Sequence, residues 1–214
     1  MDHGKILFWN VDTQKDFMNP DGKLYVPGAE LLKDTLKSIT RLARKKNIQV
    51  INTADYHYIN SAEIDRNPDM VNTFPEHCMA GSEGAEYIKE TDPMDPTIFD
   101  WDKNYLISDD LLDVSKHRNL VLRKDAFDVF TGSPHTGKVL EILKPDKVFV
   151  YGVTTNICVH QAVMGLSKRI KDIFVIKDAI RELPGIDLPF KKWERLKVNL
   201  IDFEELANLF NSKI

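Results

Sequence analysis

Cysteine is scarce in this sequence of 214 residues, with Cys78 and Cys158 the only two. Two thiols cannot build a disulfide framework, so each is expected to be reduced and to have its own reason to be present. No apolar run approaches the roughly 20 residues of a bilayer-spanning helix, which argues against a membrane protein. A basic block is also missing: 29 Lys and Arg face 33 Asp and Glu, for a net charge of −4. Nucleic acid and anionic membrane are therefore not expected as partners, because both need clustered positive charge. Neither an internal repeat nor a low-complexity tract occurs. The N-terminus runs into the apolar stretch 5–12 without a leader-like cleavage site, and a cytoplasmic protein is expected.

What is present is an ordinary globular balance, 43% hydrophobic against 29% charged, in a chain long enough for one substantial core. One domain over 1–214 is the expectation. Short β-branched and aromatic runs at 6–11, 48–53, 120–123, 148–153, 173–176 and 198–201 read as buried strands. Between them lie amphipathic segments. Leu32, Leu36, Ile39 and Ala43 recur with helical period after Pro27, and Val159, Ala162, Val163, Leu166 and Ile170 do the same. Such alternation predicts an α/β fold: a parallel, Rossmann-like sheet of about six strands with helices on both faces. The least regular region, 91–116, is rich in Pro and Asp around Phe99, Trp101 and Tyr105, and reads as an excursion, an acidic solvated loop with its aromatics tucked beneath it.

In a sheet of this kind the chemistry gathers at the carboxyl ends of the strands. Asp12 ends the first predicted strand, Lys124 the third, and the fourth leads through 152–157 into Cys158, which opens a helix. A thiol at a helix N-terminus gains thiolate character from the dipole and free N–H groups, which can also hold an oxyanion. A nearby Asp can take the thiol proton and return it to a leaving amine, with Lys orienting that Asp. His160 lies two residues from Cys158 on the same helix and so points away, which makes it a polar or packing residue.

The run Val11-Asp12-Thr13-Gln14-Lys15-Asp16-Phe17 resembles the opening motif of the isochorismatase-like cysteine hydrolases, 152–159 resembles their nucleophile loop, and Arg123-Lys124 resembles their lysine after a strand. The resemblance implies Asp12 as general acid/base, Lys124 as its partner and Cys158 as nucleophile. It also implies a cis peptide between Val153 and Thr154, aiming the N–H of Thr154 at the same oxyanion as the N–H of Cys158.

A second constellation is Thr53-Ala54-Asp55-Tyr56-His57, followed by Phe74-Pro75-Glu76-His77-Cys78. Asp-x-His on an extended strand end puts two ligands on one side, and an imidazole returned by a loop completes a facial site for one divalent ion, zinc foremost, with iron or manganese as alternatives. This pattern resembles that of the nicotinamidases. The resemblance makes Asp55, His57 and His77 metal ligands and Glu63 a candidate fourth. Cys78 receives no chemistry. Phe17 and Phe74 are candidates to face a flat ring, ahead of Phe127 and Phe130.

The expected activity is hydrolysis of nicotinamide to nicotinate and ammonia through a thioester on Cys158, in a protein of the nicotinamidase/pyrazinamidase branch serving NAD salvage. Two alternatives stand beside it: another amide or N-carbamoyl hydrolase of the same family, and a catalytically silent member. The isochorismate vinyl-ether hydrolases are less favoured because they lack the metal motif. The expected partner is a small aromatic amide, and self-association into a homo-oligomer stays open.

Overall fold

The computed structural model describes residues 5–211, so the expected domain limits at 1 and 214 lie outside the described residues. Seven strands form one sheet: β1 (Ile6–Val11), β2 (Gln49–Asp55), β3 (Thr97–Phe99), β4 (Asn119–Lys124), β5 (Lys147–Val153), β6 (Asp172–Arg181) and β7 (Asn199–Ile201). Their order is β3-β4-β2-β1-β5-β6-β7, and every pairing is parallel. The helices are α1 (Lys15–Met18), α2 (Lys33–Lys45), α3 (Val129–Gly132), α4 (Thr136–Leu143), α5 (Cys158–Ser167), α6 (Phe190–Arg195) and α7 (Phe203–Asn211).

Two apolar layers flank the sheet, as the near-continuous hydrophobic strands require. Leu7, Trp9 and Val11 of β1 pack with α4, α5 and Trp193, whereas Phe8 points the other way into the layer of Leu36, Ile39 and Ala43 from α2 and Leu206 from α7. From β1 the chain passes to β2 and on to the edge strand β3, comes back to β4 between them, then crosses to the other side of β1 with β5. The strand order therefore reverses between β1 and β5, and the crevice outside their carboxyl ends is where such sheets hold ligands.

The α/β architecture agrees with the sequence expectation, with two differences. The sheet has a seventh strand, β3, drawn from the supposed excursion 91–116; it is three residues long and pairs only with β4. From the same region Phe99 and Leu112 enter the core and Tyr105 packs against it, so these aromatics do lie beneath the loop. The long irregular stretch that reaches the functional end is instead the connection from β2 to β3. It has only a single 3-10 turn, Glu83–Ala85, and is fastened by isolated bridges His57–Met79, Ile64–Phe74 and Gln14–Tyr87. Among the described residues no helix is long and apolar enough to cross a membrane.

Candidate active site

Asp12 follows β1 directly and takes a left-handed backbone (φ 47°), a conformation Asp tolerates better than most residues. Its carboxylate is fully buried. Oδ1 accepts a 2.6 Å hydrogen bond from Thr53 Oγ1, and Oδ2 lies 3.0 Å from Lys124 Nζ. The ammonium at the end of β4 also pairs with Asp55 at the end of β2 and stands 3.9 Å from Cys158 Sγ at the start of α5. Polar atoms of Asp12, Asp55 and Cys158 all lie within 4.8 Å of one another. The crossing of β5 past β1 allows this closeness. Gly152 has φ 118°, and a Cβ there would stand 2.0 Å from the carbonyl oxygen of Val11. The Val153–Thr154 peptide is cis, as the resemblance implies.

Burial dominates the electrostatics. It raises the Asp12 pKa above the ordinary value, with Asp55 adding to the rise and Lys124 and Thr53 opposing it. Burial likewise works against charge on Lys124, but Asp12 and Asp55 outweigh it and hold the ammonium firmly protonated. Burial pushes the Cys158 thiol well above its ordinary value, against the pull of Lys124. This differs from the thiolate expected from the helix N-terminus alone. The sulfur is desolvated and also faces Asp12, Asp55 and Glu63, all of which favour the thiol over the thiolate.

A second cluster adjoins the first. One atom each of Asp55, His57 and His77 lies within 4.8 Å of the others, and all three residues are buried. Both imidazole Nε2 atoms approach the same carboxylate, each at 3.8 Å. Their Nδ1 atoms are engaged elsewhere: His57 with Asp125 Oδ1 at 2.9 Å and His77 with the Pro75 carbonyl at 2.7 Å. Both partners can only accept, so each Nδ1 carries a proton and Nε2 is left to donate a lone pair. His57 Nε2 is buried without a hydrogen-bond partner. Two inward lone pairs and a carboxylate suit a divalent ion such as zinc. His57 itself has a raised pKa: burial lowers it, but Asp55 and Asp125 outweigh burial.

Glu63 is buried and lines the same cavity as Cys158, but stands outside the close three-residue cluster; its Oε1 accepts from the Phe127 amide at 2.6 Å. Burial, aided by Asp55, pushes its pKa up to about 7. Phe17, Phe74 and Phe127 line this cavity together with Asp55, His77, Thr154 and Cys158. Phe17 and Phe74 also flank the His77 ring, at 5.4 and 6.1 Å between centroids. Phe130 instead stacks on Trp9 in the core. His160 accepts a 3.0 Å hydrogen bond from Trp193 Nε1, away from the sulfur, and Cys78 is fully buried with its thiol pushed up by desolvation.

Several positioning residues escaped sequence reasoning. Gln14 exchanges two 2.8 Å bonds with the backbone of Asp55, accepting from its N–H and donating to its carbonyl. Asp16 accepts from the Cys78 amide at 2.7 Å and so pins the residue after His77. Both sit inside the opening motif, which was the available signal. Ser61 and Asp125 support His57, and only the adjacency of Asp125 to Lys124 pointed that way.

Comparison with known proteins is consistent with this geometry. No curated protein matches the chain. An N-carbamoylsarcosine amidase from Thermoplasma acidophilum has a similar structure, 20% identical, with a TM-score of 0.70 over 94% of this chain and 97% of that one. A pyrazinamidase from Pyrococcus horikoshii in complex with zinc is 20% identical, with a TM-score of 0.69 over 92% and 99%. A nicotinamidase/pyrazinamidase from Bacillus subtilis, also 20% identical, has a TM-score of 0.67 over 92% and 100%. At such identities the likeness is one of fold. Residues 7–202 match the isochorismatase domain model, and the chain belongs to the isochorismatase family of hydrolases.

Proposed function

We propose that this protein is a cysteine amidohydrolase of the nicotinamidase type, converting nicotinamide and water to nicotinate and ammonia. One observation carries the reading: Cys158 and the ligand candidates Asp55 and His77 line a single cavity whose other walls include Phe17, Phe74 and Phe127. The zinc-bound pyrazinamidase and the nicotinamidase among the similar folds support it.

Catalysis starts from a thiol beside a carboxylate. Asp12 takes the Cys158 proton, a step helped by its raised pKa, which makes it a stronger base than a free carboxylate. The sulfur then bonds to the carboxamide carbon, and the N–H groups of Thr154 and Cys158 hold the oxyanion. The C–N bond breaks as Asp12 returns the proton to the departing nitrogen, releasing ammonia and leaving a thioester. Asp12 next takes a proton from water, whose oxygen attacks the thioester carbon; the sulfur leaves and recovers its proton from Asp12. Lys124 keeps the carboxylate oriented throughout. A zinc, iron or manganese ion held by Asp55, His57 and His77, with Glu63 as a further oxygen donor, would supply a Lewis-acid anchor for the ring nitrogen. Phe17 and Phe74 present the flat walls that keep the ring in near-attack orientation.

Hydrolysis of an N-carbamoyl compound is the second reading, favoured by the likeness to the N-carbamoylsarcosine amidase. Ammonia release from nicotinamide, pyrazinamide, an aliphatic amide and N-carbamoylsarcosine, each with zinc-loaded protein, separates the two. The expected result is a kcat/KM for the pyridine amide at least about a hundredfold above the aliphatic one. Preference for the carbamoyl compound overturns the substrate assignment, and no ammonia from any of the four identifies a silent member.

A further inference from the structure

We propose that Asp125 is a positioning residue for the metal site: its carboxylate fixes the tautomer and direction of His57 and strengthens Nε2 as a donor. The inference rests on the metal site proposed above. Lys124 and Asp125 are neighbours at the end of β4, and their side chains serve different groups. The ammonium of Lys124 faces Asp12, Asp55 and Cys158, whereas the carboxylate of Asp125 backs His57 on the far side from Asp55. One strand end thereby organises both the nucleophile and the ion.

The support is continuous. Asp125 Oδ1 accepts from His57 Nδ1 at 2.9 Å and from Ser61 Oγ, and Ser61 Oγ in turn accepts from the Tyr58 amide at 2.8 Å. The Asp125 amide donates to the Gly132 carbonyl at 3.1 Å, which anchors the backbone beneath it. His77 has only a peptide carbonyl, that of Pro75, behind its ring. A carboxylate withdraws the Nδ1 proton more strongly than a peptide oxygen and so makes the opposite nitrogen more basic. His57 Nε2, buried and without a hydrogen-bond partner, is the atom that benefits.

The test is zinc affinity, read by competition with a chromogenic chelator, in the native protein and in Asp125→Ala, Asp125→Asn, Ser61→Ala and His77→Ala, each checked for folding by circular dichroism. Asp125→Ala is expected to weaken zinc binding by about 10- to 100-fold. Asp125→Asn keeps an acceptor for the Nδ1 proton and should fall between, by at least about threefold. In the zinc-loaded protein, a slowly exchanging His57 Nδ1 proton should be visible by NMR in the native and Asn forms and lost in the Ala form. Folded Asp125→Ala with native zinc affinity overturns the inference. Should Asp125→Ala not fold, native affinity in both Asp125→Asn and Ser61→Ala overturns it equally. Native protein that binds no zinc, or His77→Ala that binds it unchanged, removes the metal site itself and this inference with it.

Discussion

Asp12, Lys124 and Asp55 place two negative charges against one buried positive charge, with a neutral thiol beside them. Burying charge is costly unless each ion keeps a partner, and here the ammonium bridges both carboxylates while Thr53 satisfies the remaining oxygen of Asp12. Desolvation raises both the Asp12 and the Cys158 pKa, and the proposed mechanism moves the proton from sulfur to this carboxylate when substrate arrives. Asp12→Asn retains the shape and can still accept from Thr53, but cannot receive that proton. Ammonia release from this variant should fall by roughly 10²- to 10⁴-fold, with the protein still folded. A loss smaller than about tenfold, measured at saturating zinc, would contradict the assigned base.

Between elements, the site is held by side chains that reach from one strand end to the next. Gln14, in the turn before α1, grips both backbone groups of Asp55 at the end of β2 and also donates to the Ala85 carbonyl at 2.8 Å. Asp16 ties α1 to Cys78. Shortening Gln14 to Ala leaves the buried N–H and C=O of Asp55 without that partner. The expected cost is about 1–3 kcal/mol for each group left unpaired, read as a shift in the chemical unfolding midpoint, together with a lower kcat/KM. Stability unchanged within about 0.5 kcal/mol would show that the grip is incidental. Such links were poorly legible beforehand. Gln14 and Asp55 are 41 residues apart and His57 and Asp125 68 apart, and their meeting depends on how the irregular connection after β2 folds back, which no periodicity records. Asp12 and Lys124 were legible at the ends of strands and Cys158 at the opening of a helix, each inside a local motif of contiguous residues.

Across the whole molecule, hydrophobic runs foretold the parallel sheet because strands covered on both faces are largely apolar; β5 is buried from Val148 to Val153. The edges were harder to read. β3 has three residues among prolines and aspartates, and β6 continues past two exposed positions, Lys177 and Asp178, that interrupt its apolar pattern. The reversal of strand order between β1 and β5 is what brings a carboxylate from the first strand end and a thiol from the fifth into one crevice. The β2 and β4 ends add Asp55 and Lys124 on the same rim, and the connection after β2 brings His57 and His77 to it. The most direct test of this convergence is peptide mapping by mass spectrometry after rapid acid quench of zinc-loaded protein turning over nicotinamide. A nicotinoyl thioester confined to the peptide carrying Cys158, absent from Cys78 and absent in Cys158→Ala, is the predicted result. Ammonia production undiminished in Cys158→Ala would contradict it.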